Sequence, residues 1–121
     1  MKIAVTAKGE GLSAEVDSRF GRAMYFVVYD TDTSEVETID NSVNLNAQHG
    51  AGIQSAEAIA NAGAKVLLTG HCGPNAFKTL SAAGIKVMIG ASGTVKEAIE
   101  SFEQGELEEA KGPDVEGSHS D

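Results

Sequence analysis

Apolar and polar positions along the chain change period several times, and each change marks an element. KIAVTA (2–7) alternates and is β-rich, which predicts a first strand. MYFVVYD (24–30) and EVETID (35–40) flank TDTS, and that spacing with those turn residues predicts a hairpin. NSVNLNAQHGAG is polar and glycine-bearing and reads as a long loop. From residue 53 the period lengthens: Ile53, Ala56, Ile59 and Ala60 share one helical face, and Gly63 follows as a C′ residue. KVLLTG then predicts a buried strand. Pro74 suits the first turn of a helix marked by Phe77, Leu80 and Ala83 and closed by Gly84. IKVMIG (85–90) is a further strand, and Ser92-Gly93-Thr94 caps a last helix, VKEAIESFEQG.

The order β-β-β-α-β-α-β-α predicts an α/β domain with an early meander and later parallel strands. Right-handed crossovers then bring residues 8–22, 70–74 and 90–94 to one edge of the sheet. Open α/β sheets usually bind ligands there, outside the carboxyl ends of the strands.

Composition narrows the class. The 121 residues are 41% hydrophobic with no Trp, so one aliphatic core is expected. A single cysteine gives no internal disulfide and no sign of an oxidising compartment. The apolar run at the N-terminus is too short for a signal peptide and no later segment could span a bilayer, so a cytoplasmic location is expected. The net charge of −9 is uneven. Residues 105–121 hold six of the eighteen acids and one of the nine bases, a net −5, which leaves −4 for the rest. The expected division is a folded domain over 1–104 and a disordered acidic tail over 105–121. There is no basic face of the kind that nucleic acids need.

The chemistry-bearing residues gather in TGHCGPNAF (69–77), where His71 and Cys72 lie between glycines and ahead of Pro74. Three ligand chemistries have to be weighed, beside a nuclease reading. A cysteine-phosphatase cradle would set His71-Cys72 five residues before a base, but Lys78 lacks the planar fork of arginine and Pro74 deletes an N–H donor. A dinucleotide fingerprint at Gly50-Ala51-Gly52 lacks its third glycine and its preceding strand. A carboxylate-cluster nuclease would need acids that the first strand does not carry. Ligation is the third. One cysteine cannot hold a conventional iron–sulfur cluster, which takes about four, and zinc would need a fourth ligand beside His49, His71 and Cys72. A preassembled anionic metal–sulfide cluster brings its own sulfides and needs only N–H donors, cations and one or two anchors. Helix N-termini after HGAG and GHCGP supply the donors, and Arg19 and Arg22 supply the charge. Each residue also has a reading without a ligand. Cys72 could be a small core residue, His49 a helix cap, the arginines partners of Asp17, and Gly70 and Gly73 parts of a tight turn.

DSRFGRAMYFVVYD, followed by QHGAGIQSAEAIANAGAKVLLTGHCGPNAFKTLSAAGIKV, resembles the dinitrogenase iron–molybdenum cofactor biosynthesis family over about the first hundred residues. The resemblance implies a ribonuclease H-like three-layer α/β/α fold with a five-stranded mixed sheet. It implies binding or carriage of a molybdenum- or iron-containing sulfide cluster, with no catalysis and no catalytic residues. The stand-alone form looks most like an orange-protein-like branch, which holds a mixed molybdenum–copper sulfide cluster noncovalently. The family's motifs fall on Arg19, Phe20, Gly21 and Arg22, on His49, Gly50 and Gly52, and on Gly70, His71, Cys72 and Gly73. Among these, His49, His71 and Cys72 are the expected metal ligands. Arg19 stands where many members have histidine, trading a ligand for a charge. The expected partners are the inorganic cluster (of the Mo–Cu or Fe–Mo type) and a cluster-delivery or regulatory protein, with no nucleic acid, no membrane and a monomeric state. The competing class is a regulatory or protein-interaction module of the same fold without a cluster.

Overall fold

The structure, a computed structural model, describes residues 1–45 and 51–111. Five of the six residues of KIAVTA are buried, so this strand separates two cores and has no solvent face. Ile3, Val5 and Ala7 point to one side with Leu68, Val95 and Ile99. Ala4 points to the other with Phe26, Ile59, Leu67 and Leu80. Such burial on both faces belongs to a central strand.

That strand is β1 (Lys2–Ala7). It pairs antiparallel with β2 (Tyr25–Asp30), which forms the expected hairpin with β3 (Val36–Asp40). On its other side β1 runs parallel to β4 (Ala64–Leu68), and β4 runs parallel to β5 (Lys86–Ile89). The helices are a single-turn α1 (Ser42–Leu45), then α2 (Ala51–Asn61), α3 (Pro74–Ala82) and α4 (Val95–Glu103). Packing puts α2 and α3 on one face of the sheet and α4, with Leu12, Ala14 and Val16, on the other. Local chemistry starts the last two helices. Pro74 occupies the first turn of α3, and Thr94 closes a reciprocal capping box with Glu97 at the start of α4.

Three expectations need correction. The mixed sheet has six strands in the order β3-β2-β1-β4-β5-β6, because a two-residue β6 (Glu108–Glu109) pairs antiparallel with β5. Ala110 is buried beside it and donates its N–H to the Val87 carbonyl at 2.9 Å. The first residues of the segment assigned to the tail therefore complete the sheet. They lack an apolar period because a two-residue edge strand is too short to show one. The polar stretch after β3 contains α1, and α2 begins at Ala51, two residues ahead of the apolar pattern. No helix among the described residues is long and apolar enough to cross a membrane.

Candidate functional site

Residues 8–22, 70–74 and 90–94 do meet at one edge, and backbone hydrogen bonds stitch them together. The Asp17 N–H donates to the Thr6 carbonyl at 2.9 Å, and the Val16 N–H to Gly93 at 2.9 Å. The His71 N–H donates to Ser18 at 2.7 Å, and the Phe20 N–H returns to His71 at 3.2 Å. Arg19 and His71 are thereby paired in parallel, with both residues exposed. Gly70 makes this possible. A Cβ at that position would lie 2.7 Å from the Ser18 carbonyl oxygen and 2.8 Å from its Cα, so the close approach excludes any side chain.

Phe20 anchors the turn Phe20–Arg22 from below. It is 1% exposed and stacks on Phe26 with ring centroids 5.4 Å apart. With the phenyl ring in the core, Arg19 and Arg22 on either side reach solvent. A Cβ on Gly21 would sit 3.8 Å from the Gly52 Cα in the first turn of α2. One on Gly52 would sit 3.4 Å from the Ala76 Cβ in the first turn of α3. The arginine turn and two helix N-termini thus come together with only glycine and alanine between them. Gly73 is the N-cap of α3 and offers no side chain to its first turn, and a Cβ on Gly73 would meet nothing within 4 Å. First-turn N–H groups of such a helix look outward with partial positive charge. The arrangement suits an anion better than a chelated metal ion. Among the described residues no three His, Cys, Asp or Glu side chains gather to hold a metal.

The predicted site residues divide three ways. Arg19, Gly21, Arg22, Gly52, Gly70, His71 and Gly73 lie around this junction. Arg19 is held there, since the Asp17 carboxylate accepts from the Arg19 N–H at 3.0 Å and lies 3.7 Å from its Nε. Phe20 and Cys72 face inward. Cys72, an expected metal ligand, is 1% exposed within the core that contains Phe20, Ala76 and Leu80. A residue that follows Gly70 and His71 need not face the loop's open side, and the packed underside of α3 takes this one. His49 and Gly50 lie outside the described residues.

Sequence reasoning missed the polar scaffold beneath the junction. Thr6, Asp17, Asn41, Ser55 and Thr69 are the buried polar residues of the described chain. Thr6 Oγ1 bonds the Asp17 carbonyl at 2.6 Å and Thr69 Oγ1 at 3.0 Å. Asn41 bonds Ala23 and Ser55. The one available signal was polar residues at the last positions of apolar runs, Thr6 in KIAVTA and Thr69 in VLLT. Asn41 had none, because it sits in a stretch that reads as polar loop.

Comparison with known proteins agrees with this geometry. The fold superposes on the apo form of the orange protein from Desulfovibrio gigas with a TM-score of 0.91 and 50% identity, over 94% of this chain and 96% of that one. A Thermotoga protein assigned provisionally to the NifB proteins superposes with a TM-score of 0.79 and 41% identity, over 89% and 91% of the two chains. An uncharacterised protein of Methanocaldococcus jannaschii is 32% identical over 111 residues, 89% of this chain and 90% of that protein. The dinitrogenase iron-molybdenum cofactor profile matches residues 1–105, which takes in the arginine turn, both helix N-termini and the Gly70–Gly73 turn. The chain belongs to the dinitrogenase iron-molybdenum cofactor family.

Proposed function

We propose that this protein binds and carries an anionic metal–sulfide cluster, noncovalently, at the junction of the arginine turn with the N-termini of α2 and α3. The observation that carries the reading is the glycine-lined meeting of Gly21, Gly52 and Ala76 beside the start of α3, whose N-cap is a glycine. No carboxylate other than the arginine-paired Asp17 is buried among the described residues. Arg19 and Arg22 supply charge-assisted hydrogen bonds, first-turn N–H groups supply oriented dipoles, and His71 lines the mouth. Cys72 shapes the wall from beneath. The likeness to the orange protein supports a molybdenum-containing cargo of the Mo–Cu type, with Fe–Mo the family alternative. Such a protein acts as a carrier without catalysing a reaction, in the cytoplasm and as a monomer, receiving or delivering its cargo through a protein partner. The ribonuclease H-like description of the fold goes with this reading. Its support is the order β3-β2-β1-β4-β5, in which β2 alone runs against the others.

The test is direct. Protein mixed with tetrathiomolybdate and copper should develop a visible charge-transfer band that survives desalting, whereas phosphate and NAD should leave the amide spectrum of residues 17–23 and 69–76 unchanged. A phosphate-induced shift without a thiometallate band would reinstate the phosphate cradle. The alternative is a partner-binding module of the same fold without a cluster, and colourless, metal-free protein from the native host would decide for it.

A further inference from the structure

Asn41 is fully buried, and its hydrogen bonds reach three separate segments. Its Nδ2 donates to the Ala23 carbonyl at 2.8 Å, at the end of the arginine turn. Its Oδ1 accepts from Ser55 Oγ at 3.1 Å in α2 and from Asn44 Nδ2 at 2.6 Å in α1. Its backbone N–H donates to Met24 at 2.8 Å, and its carbonyl accepts from Asn44 at 3.0 Å and Leu45 at 3.2 Å. A planar amide with a donor at one end and an acceptor at the other fits this place. Aspartate would set a charged oxygen against the Ala23 carbonyl, and alanine would leave several buried partners unsatisfied.

We propose that Asn41 is the positioning residue of the binding junction, fixing the arginine turn, α1 and α2 at one mutual spacing. The inference rests on the carriage reading above and adds a residue that touches no cargo. Distributed donors hold an anion well only if their spacing is set before it arrives, so a loosened spacing weakens every contact at once.

The experiment compares retention of the tetrathiomolybdate–copper product in the wild type, Asn41→Asp, Ser55→Ala and Ile99→Ala. The last is a destabilised control in the core on the opposite face of the sheet. All are measured well below their melting temperatures. Asn41→Asp is expected to lose retention by about tenfold or more, roughly the worth of one well-made hydrogen bond. Ser55→Ala should lose less and Ile99→Ala nothing. The charge-transfer band of the fraction retained by Asn41→Asp should move, and in cargo-free protein amide resonances of residues 19–24 and 52–56 should shift together. Equal retention in Asn41→Asp and Ile99→Ala, or amide shifts confined to residues 40–45, would overturn the inference. If Asn41→Asp does not fold by far-UV circular dichroism, Ser55→Ala decides alone, and wild-type retention in it overturns the proposal. A wild type that retains nothing removes the carriage reading, and this inference with it.

Discussion

At the carboxyl ends of β1, β4 and β5, backbone meets backbone across Gly21, Gly52 and Gly70, and the buried side chains beneath carry hydroxyls, an amide and a carboxylate. At the far end of the sheet the polar groups stay at the surface. The Met1 amino group sits 2.8 Å from Asp32, and Lys2 Nζ donates to the Ala62 carbonyl at 3.2 Å. That end holds a hollow of about 300 Å³ lined by Lys2, Val28, Asp30, Glu35, Val36 and Glu37. Three carboxylates against one lysine make it repel an anion, whatever its volume. The junction has two helix starts, two arginines and a hydrogen-bonded floor. Fixed donors and the sign of the local charge distinguish the two ends.

The largest effect should come from breaking the stitch itself. Gly70→Ala places a methyl group against the Ser18 backbone, so residues 17–20 must move away from the 70–72 turn. A loss of about 2–3 kcal/mol in stability is expected, with cluster retention abolished. Denaturant unfolding and desalting assays on one preparation check both. Unchanged retention would show that the approach of the two loops has no part in binding.

Removing charge while keeping the stitch sharpens the same contrast. Arg19→Ala combined with Arg22→Ala should weaken retention by roughly tenfold per arginine at low salt and flatten its salt dependence. Stability should fall by about 1 kcal/mol, because the buried Asp17 carboxylate loses its Arg19 partner and keeps only its backbone hydrogen bond. Glu35→Gln with Glu37→Gln at the far end is the control and should leave retention unaltered. If both pairs act equally, net charge and not the junction is what matters.

Smaller effects follow from β6 and from the burial of Cys72. Ending the chain after Gln104 removes β6 and buried Ala110, and should lower the melting temperature by several degrees, at about 4–8 °C per kcal/mol for a domain this small. Ending it after Lys111 should not. Cys72→Ala should cost about 1 kcal/mol through lost packing, with retention within about twofold of wild type. Lost retention at intact stability would return the thiol to the contact set.

The smallest change belongs to the far end. The hydrogen bond to Asp32 raises the Met1 amino group above its ordinary value of 8.0, ahead of the charge of Asp30. A raised amine stabilises the fold below about pH 8, and that contribution fades as pH climbs through the folded value. Asp32→Asn should bring the titration back toward 8.0, seen by NMR, and leave cluster retention untouched.

Sequence alone determined the order of eight elements (β1-β2-β3-α2-β4-α3-β5-α4), because periods of two and 3.6 residues, Pro74, Thr94 and the closing glycines are local signals that local physics obeys. It also determined that residues 8–22, 70–74 and 90–94 would share an edge, since crossover handedness leaves one arrangement for parallel strands. Tertiary structure decided the rest. The side on which Cys72 falls depends on how α3 settles against β4. The need for glycine at position 70 depends on Ser18, fifty-two residues away, approaching to contact distance. The weight of Asn41 depends on three segments converging on one amide. β6 became a strand because β5 left an open edge with carbonyls to satisfy, a demand that two glutamates do not announce. These are all contacts between distant segments, set by packing geometry that no local period encodes.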